Sequence, residues 1–279
     1  MRFAANNTMF SDVQFITLKD NNWYKNQIFA GDVVAACLNS FKVLLELNTD
    51  LSLKEIEENC ERIIKQACCK PTFKGYKGFP GAVCISVNNQ LVHGIPSDYK
   101  LKPGDLVTID VGVTYEGAIA DSAVTCIYGE PKDIKHVRLI EACQKALYKG
   151  IESIAVGKNL GCIGDAIYRY VRSSGFHLIT NYGGHGLDID NPHTQPFVFN
   201  KSKRDEGIII QPGLTIAIEP MLAIGSAKTK TEDDGWTVST KDISCHMEHT
   251  VFVHEDSVEV MTLRSRENFS RKVYFKNVS

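Results

Sequence analysis

The sequence predicts an α+β protein made of two related halves. Two pairs of helical segments, at 27–67 and 134–171, show apolar residues at intervals of three and four, and apolar, β-branched strands follow each pair. A Pro-Gly turn precedes an acid-bearing strand in both halves, at Pro103-Gly104 and Pro212-Gly213. With 279 residues, of which 43% are hydrophobic, the chain is long enough to bury a substantial core.

The first helix pair is predicted to begin at Gln27. A second helix follows Ser52, because Glu55 three residues later completes a capping box. Residues 1–26 show no clear period, so we expect an N-terminal extension that packs loosely. In the second half, helices are predicted over 134–151 and 160–171, and Gly175 closes the last of them.

The stretch Pro103–Ala123 reads as two strands joined by a turn at Tyr115-Glu116-Gly117. It carries Asp110 and Asp121 in otherwise apolar runs. Buried carboxylates are costly unless they are paired, hydrogen-bonded or bound to a cation. Pairing around the turn would bring both acids to the same level, where they could share a metal. The alternative is that one aspartate caps the turn and the other pairs with a Lys or Arg.

An internal repeat favours the metal site. Pro103-Gly104 precedes Asp110 in PGDLVTID, and Pro212-Gly213 precedes Glu219 at the same spacing in PGLTIAIE. A second acid follows each first one, Asp121 in the first half and Glu248 in the second. Two related halves that face each other would bring four carboxylates together. With a histidine from a glycine loop, GGHG, the candidate ligands are Asp110, Asp121, His185, Glu219 and Glu248. Such an oxygen-rich set suits two divalent cations, which can activate an attacking water.

Other polar residues could complete the site. His93 and His193 lie in segments rich in Gly or Pro and could bond a peptide group, although a lone loop histidine is more often a surface residue. His246 is expected to share a face with Glu248 and to be either part of the site's wall or a buried, satisfied histidine. Tyr76, Phe79, Cys84 and Trp236 could line an apolar pocket, or could belong to the core.

The bulk properties indicate a cytoplasmic protein without DNA or membrane partners. The formal net charge of -2 gives no electrostatic case for nucleic acid. The N-terminus lacks the apolar region of a secretory signal, and no apolar run approaches the length of a membrane span. The nine cysteines are scattered, which is typical of reduced thiols. The basic tail from Leu263 is predicted to be solvated; transient contact with ribosomal RNA is the alternative.

The ordered motifs VCISVNNQLVHGIP, TIDVG, ADSA, GGHG, TIAIEPM and MEHTVFV resemble those of methionine aminopeptidase, type I, from about Gln27 to Thr262. The resemblance implies the pita-bread fold, in which two pseudo-symmetric halves of helix pair plus curved antiparallel sheet surround two metal ions. We therefore expect one catalytic domain at 27–262, with halves at about 27–130 and 131–262 and a tail at 263–279. It also implies a monomer that removes the initiator methionine from nascent chains, with Co, Mn, Fe or Zn as the metal.

The same resemblance implies individual roles. Asp110, Asp121, His185, Glu219 and Glu248 match the metal ligands, with Asp121 and Glu248 bridging the ions. Glu219 would also carry a proton to the leaving amine. His93 would contact the scissile amide and His193 the carbonyl oxygen. The pocket for the methionine side chain matches Tyr76, Phe79, Cys84 and Trp236.

This chain departs from the family pattern before His193. The interval from His185 to His193 is eight residues where the family usually has seven, and Pro192 stands where an aromatic residue or Met is common. Two rival functions stay open: a proline-directed relative such as a prolidase or aminopeptidase P, and a non-catalytic protein of the same fold that binds RNA or protein. The relatives of the second kind typically lose metal ligands, and all five are present here.

Overall fold

The computed structural model describes residues 2–5, 14–47 and 50–275. Its four described helices are α1 (Asn21–Leu47), α2 (Leu53–Gln66), α3 (Ile134–Glu152) and α4 (Cys162–Val171). Helix α1 packs on α2, and α3 packs on α4. This arrangement matches the two helix pairs predicted from the apolar periodicity.

The described strands all pair antiparallel, in five sheets. A hairpin joins β1 (Arg2–Ala5) to β2 (Gln14–Thr17). The first half holds a four-stranded sheet in which β6 pairs with β3, β4 and β7. Its members are β3 (Lys70–Pro71), β4 (Cys84–Val87), β6 (Leu106–Tyr115) and β7 (Ala118–Ile127).

The second half holds a six-stranded sheet in the order β10-β9-β11-β16-β17-β18. Its members are β9 (Gly183–Asp188), β10 (Asn191–Phe199), β11 (Thr215–Ile218), β16 (His249–Val253), β17 (Ser257–Val260) and β18 (Lys272–Tyr274). Two three-stranded sheets, β15-β12-β8 and β13-β14-β5, complete the architecture. Their members are β5 (Gln90–Val92), β8 (His177–Leu178), β12 (Met221–Ala223), β13 (Thr229–Thr231), β14 (Val238–Thr240) and β15 (Ser244–His246).

One apolar core runs through both halves. Phe41 and Ile64 of the first helix pair belong to the same buried cluster as Leu139 and Ile167 of the second. The halves are also joined by Gln27, which is fully buried and donates from Nε2 to the Ile119 carbonyl at 2.7 Å. Its Oε1 accepts from the Thr215 hydroxyl at 3.0 Å, so one side chain of α1 connects β7 to β11.

The first helix begins at Asn21, earlier than the predicted Gln27. Asp20 caps it, because its Oδ1 accepts from the amides of Asn22 and Trp23 at 3.0 and 2.9 Å. The boundary expected between residues 26 and 27 therefore falls inside α1. The capping box at Ser52 and Glu55 is confirmed. Part of the predicted loose extension, residues 6–13, lies outside the described residues.

Helix α1 is also long and apolar enough to cross a membrane by length and composition, with a mean hydropathy of 1.7 over an 18-residue window. The expectation that no segment approaches this property was wrong. In the fold, α1 packs against β6 and β7 and buries Val34, Leu38 and Phe41 completely. A core helix has the same composition as a membrane span because both bury most of their surface.

The C-terminal segment is part of the fold. Strand β18 pairs with β17, and Arg264 is only 1% exposed, which corrects the expectation of a solvated tail at that residue. Arg266, Arg271 and Lys272 form ion pairs with Glu46, Asp32 and Glu259. Lys276, the last basic residue, lies outside the described residues.

Candidate metal centre

The hairpin β6–β7 positions the first two acids. The two turn residues are Glu116 and Gly117, within the predicted Tyr115–Gly117 but later than a turn centred near 115–116, and both have positive φ. Asp110 is the cross-strand partner of Ala123, and Asp121 is the partner of Gly112. The two carboxylates are therefore diagonal neighbours on one face, rather than directly opposite as expected, because the pairing register is offset by one pair. Their potential ligand atoms lie within 4.8 Å of each other.

The second half positions Glu219 and Glu248 at strand ends. Glu219 follows the last residue of β11, and Glu248 precedes the first residue of β16. The Glu248 amide donates to the Ala123 carbonyl at 3.0 Å, which ties it to the strand of Asp121. Asn200 donates to the Glu219 carbonyl at 3.1 Å. The two halves of the repeat therefore differ in the fold. Asp110 and Asp121 lie within strands, whereas Glu219 and Glu248 lie just beyond strand ends.

His185 lies in strand β9 rather than in the predicted glycine loop. The glycines of GGHG allow neighbouring strands to approach closely. A Cβ on Gly184 would lie 2.1 Å from the Ala217 carbonyl oxygen, and one on Gly186 would lie 2.1 Å from that of Gln195. Their requirement for close packing explains a glycine-rich sequence inside a sheet.

These side chains converge. The Nε2 atom of His185 is 3.9 Å from Asp121 Oδ2, 3.6 Å from Glu219 Oε1 and 4.0 Å from Glu248 Oε1. Potential ligand atoms of Asp110, Asp121 and Glu248 lie within 4.8 Å of one another, and so do those of His185, Glu219 and Glu248. All five predicted ligands therefore meet at one place, where Glu248 is common to both groups.

Electrostatics favours a cation at this place. Burial and the neighbouring carboxylates hold the pKa of Asp110 and of Glu248 well above the usual range. Burial raises the pKa of Asp121 to about 6 and that of Glu219 to about 8. A raised carboxyl pKa means that the charged form lacks sufficient compensation from the protein alone.

The donor atoms fit divalent ions. Three buried oxygens have no hydrogen-bond partner within the described residues, namely Asp110 Oδ1, Asp121 Oδ1 and Glu248 Oε1. Buried polar atoms in folded proteins almost always have a partner, so orphaned carboxylate oxygens that face one another indicate an absent ligand. Carboxylates with one imidazole suit first-row divalent metals.

The two further predicted histidines line the same cavity, whose volume is about 750 Å³. The ring of His193 is 4.4 Å from that of His185 and 5.3 Å from that of Tyr76, between centroids. The irregular pairing of β9 with β10 at Asn191–Thr194 accommodates the extra residue before His193. Burial lowers the pKa of His93 to about 4. His193 is more exposed to solvent, but partial desolvation and the neighbouring His185 and His93 lower its pKa as well, so both imidazoles are neutral at pH 7.

His193 also offers a ligand atom within 4.8 Å of those of Asp121 and His185. Geometry alone therefore permits two roles for it, as a substrate contact or as a metal ligand. Its assignment to the substrate stays a prediction.

An apolar wall lines the cavity beside the acids, and its Cys84 is the cross-strand partner of Asp110. Phe73, Phe79 and Cys84 form a buried cluster against which Trp236 packs. Phe79 and Trp236 meet edge to face, with ring centroids 5.2 Å apart. The four residues predicted for the pocket all line the cavity, and so do several that sequence reasoning did not select: Phe73, Lys77, Tyr182, Met221 and Phe197.

His246 is the polar residue that the ligand set left out. It is 1% exposed, and its Nε2 lies 3.3 Å from Glu219 Oε2 and 4.0 Å from Glu248 Oε2. Burial lowers its pKa to about 4. From the sequence, His246 could be either part of the site's wall or a buried histidine with its hydrogen bonds satisfied. The structure favours the first, since neither ring nitrogen has a hydrogen-bond partner within the described residues. In the sequence, the interval of two residues between His246 and Glu248 was the signal that both side chains lie on the same face of a strand.

Comparison with known proteins assigns this centre to a family. The model of metallopeptidase family M24 matches residues 28–255. The methionine aminopeptidase of Mycoplasma capricolum is 39% identical over 253 residues, which cover 90% of this chain and 100% of that protein. This chain belongs to metallopeptidase family M24.

Other family members agree in sequence and in structure. Methionine aminopeptidase 1 of Bacillus subtilis is 38% identical over 84% of this chain and 93% of its own length. The crystal structure of the methionine aminopeptidase from Rickettsia prowazekii matches with a TM-score of 0.84 and 32% identity, over 89% of this chain and 100% of that one. These matches confirm the family resemblance, the α+β pita-bread fold and the prediction of a metal-dependent aminopeptidase.

The fold extends to proteins with lower sequence identity. The prolidase from Pyrococcus horikoshii matches with a TM-score of 0.69 and 22% identity, and the match covers 90% of this chain but 65% of the prolidase. That level of identity supports the shared fold alone. The match leaves about a third of the prolidase uncovered.

Proposed function

We propose that this chain is a methionyl aminopeptidase that removes the initiator methionine from nascent proteins. The observation that carries the proposal is the meeting of four buried carboxylates and His185 with an apolar wall in one cavity. The carboxylates suit cations, and the apolar wall suits an uncharged side chain. The methionine aminopeptidases compared above span the chain almost end to end, which supports the same substrate.

Two divalent ions, Co, Mn, Fe or Zn, would be held by Asp110, Asp121, His185, Glu219 and Glu248. The four carboxylates carry about four negative charges, which two divalent ions neutralise. When bound, such ions act as Lewis acids and lower the pKa of water to near neutrality. The native metal would be determined by which ion is available in the cell rather than by the relative affinities of the site.

Neutral histidines would orient the substrate. His93 would hydrogen-bond the scissile amide and His193 the carbonyl oxygen, and their lowered pKa values keep both rings uncharged. Glu219 would also pass a proton to the leaving amine.

The apolar wall would accept the methionine side chain. Tyr76, Phe79, Cys84 and Trp236 present aromatic faces and a thiol, which make favourable contacts with a thioether. Proteins with a small second residue should be the favoured substrates. We further propose that the protein works as a cytoplasmic monomer on the N-terminal peptides of nascent chains, with at most transient ribosome contact and no DNA or membrane partner.

The test is cleavage by metal-reconstituted protein of Met-Ala-Ser and of a Xaa-Pro peptide. We expect release of methionine from Met-Ala-Ser with at least one of Mn, Fe, Co or Zn, and no cleavage before proline. Cleavage of the Xaa-Pro peptide alone would overturn the proposal in favour of a prolidase. Failure to cleave either peptide, with no metal bound, would favour a non-catalytic binding protein.

A further inference from the structure

A polar cluster lies behind the metal centre, on the side away from the cavity. It consists of Ser122, His249, Thr262, Arg264 and Glu267, and we call it the rear cluster. Each of these side chains is at most 1% exposed. None of them lines the cavity or belongs to the predicted ligand set. A buried arginine costs several kcal/mol of desolvation unless it is fully paired, so this placement calls for a reason.

The guanidinium of Arg264 contacts the strand that carries Asp121. Its NH1 donates to the Ser122 hydroxyl at 3.0 Å and to the Ala123 carbonyl at 3.1 Å. These are the two residues that directly follow Asp121 in β7.

The same two residues hold Glu248. The Ala123 carbonyl also accepts from the Glu248 amide at 3.0 Å, and the Ser122 hydroxyl donates to the Glu248 carbonyl. One guanidinium nitrogen therefore contacts both groups that join the backbone of Asp121 to that of Glu248. The distance between these carboxylates depends on this junction, because each comes from a different half of the fold.

Arg264 is itself fixed from behind. Its NH2 donates to Glu267 Oε1, and Glu267 Oε2 accepts from the Arg264 amide at 3.0 Å. His249 lies between the two, with Nε2 at 3.2 Å from Arg264 NH2 and 3.2 Å from Glu267 Oε2. The Nδ1 atom of His249 is 2.9 Å from the Thr262 hydroxyl. A planar guanidinium held on two sides is a rigid support that a lysine cannot reproduce.

A second connection reaches the centre through Thr262. Its hydroxyl accepts from the Thr250 amide at 3.2 Å, and the Thr250 hydroxyl bonds the Asp121 amide and carbonyl, at 2.8 Å each. The segment Thr262–Glu267 thus supports the backbone of Asp121 at two points.

We propose that Arg264 is a positioning residue for the metal centre. Through Ser122 and Ala123 it sets the separation of the Asp121 and Glu248 carboxylates, and so tunes the affinity and geometry of bound metal. The inference rests on the proposed function for its kinetic readout and on the family's use of metal for its binding readout.

The test compares Arg264→Lys and Ser122→Ala with the wild type and with Arg266→Ala. Arg264→Lys keeps the positive charge but removes the planar guanidinium, whose several N–H groups donate in different directions. Ser122→Ala removes the hydroxyl that links the guanidinium to Glu248 and leaves the arginine in place, so it remains informative if the lysine variant folds poorly. Arg266 is the matched control, since it lies two residues away and pairs with Glu46 at the surface.

Five quantities are measured on the full chain: Co²⁺ affinity by calorimetry, the visible absorption band of bound Co²⁺, the urea midpoint, and kcat and KM for Met-Ala-Ser. We expect both cluster variants to bind Co²⁺ about 10–100-fold more weakly with a shifted absorption band. At saturating Co²⁺ their kcat should fall while KM stays near the wild-type value. Arg266→Ala should match the wild type in Co²⁺ affinity and band.

A purely structural role predicts a different pattern. Lower urea midpoints with wild-type Co²⁺ affinity and an unchanged band in both variants would overturn the proposal. Failure of the wild type to cleave Met-Ala-Ser while it binds Co²⁺ would contradict the proposed function, and the Co²⁺ measurements would still decide the role of Arg264.

Discussion

At the scale of single residues, the site is characterised by carboxylates whose burial opposes their ionisation. Asp121 and Glu248 are each 2% exposed, and their pKa values are raised because the fold supplies no sufficient positive partner. Buried carboxylates in this state bind a proton or a cation. Each of these carboxylates therefore contributes to the affinity of the site for metal. Removal of one of them should lower metal affinity and activity together.

Two substitutions separate ligands from substrate contacts. Asp121→Asn should lower metal affinity by about 100-fold or more and abolish activity with it, since the site loses a charge and a donor oxygen. His193→Ala should retain the metal and lose about 10²–10³-fold in kcat, because a hydrogen bond to the carbonyl oxygen is removed.

Metal content by atomic absorption and kcat on Met-Ala-Ser provide the measurements. The wild type and Arg266→Ala, a surface change, serve as controls. A His193→Ala protein that loses metal along with activity would show that His193 is a ligand, which its proximity to Asp121 and His185 permits.

At the scale of elements, strand β9 contains the GGHG motif, whose sequence predicts a loop rather than a strand. Glycines favour loops in general, and GGHG was predicted to be one. In the fold, two of these glycines allow β11 and β10 to approach the backbone of β9, and this approach places His185 over the acids. The requirement comes from strands that are distant in sequence, so local propensity could not indicate it.

Gly184→Ala tests this account. The added Cβ would lie 2.1 Å from the Ala217 carbonyl oxygen, a backbone atom that cannot move alone. We expect the free energy of unfolding to fall by about 1–3 kcal/mol, with weaker metal binding as β9 shifts. Urea denaturation and calorimetry with Co²⁺ measure the two effects.

Gly235→Asn is the matched control for that substitution. Gly235 has positive φ, unlike Gly184, but a Cβ there meets nothing within 4 Å, and asparagine tolerates this conformation. A wild-type urea midpoint for Gly184→Ala would refute the close-approach explanation.

At the scale of the whole molecule, stability, pH and metal are linked. In the metal-free protein burial raises the pKa of Glu219 to about 8, above the value of the unfolded chain near 4.5. The folded state then binds more protons than the unfolded state between these values. This contribution to stability is complete below the unfolded pKa and is lost as pH rises through 8.

We therefore expect chelator-treated protein to lose stability as pH rises from about 7.5 to 8.5, by up to about 1.4 kcal/mol per pH unit for each proton. Above about pH 7.5 the histidines with lowered pKa, such as His93 and His246, contribute little, because they are neutral in the folded protein and almost entirely neutral in the unfolded chain, whose histidine pKa is near 6.5. Urea unfolding at several pH values measures the slope.

Added metal should reverse that slope, because metal binding displaces protons from the carboxylates. At a metal concentration of 100 times Kd the gain is about 2.7 kcal/mol. Glu219→Gln, which removes one titrating group, should show a shallower slope without metal. Metal-free stability that rises with pH across this range would contradict the assignment of raised carboxyl pKa values.

The sequence by itself predicted most of the fold and the five candidate ligands that the structure brings together. Apolar residues at helical intervals located both helix pairs, and the Pro-Gly turns of the repeat located the strands of the acids. These signals are local, because each depends on periodicity or turn chemistry within about ten residues. The spacing from Pro-Gly to acid then indicated that Asp110 and Glu219 correspond, before any contact between the halves was known.

Only the tertiary structure decided how these parts meet. The diagonal register of Asp110 and Asp121, the approach of β9 to β11, and the position of His246 beside Glu219 all depend on contacts between distant segments. Arg264 shows the difference most clearly. In the sequence it begins a basic, apparently solvated tail, whereas in the fold it is buried behind the metal centre and bonded to the strand of Asp121. Periodicity and composition describe the neighbours of a residue along the chain, and pairing of a buried charge depends on neighbours in space.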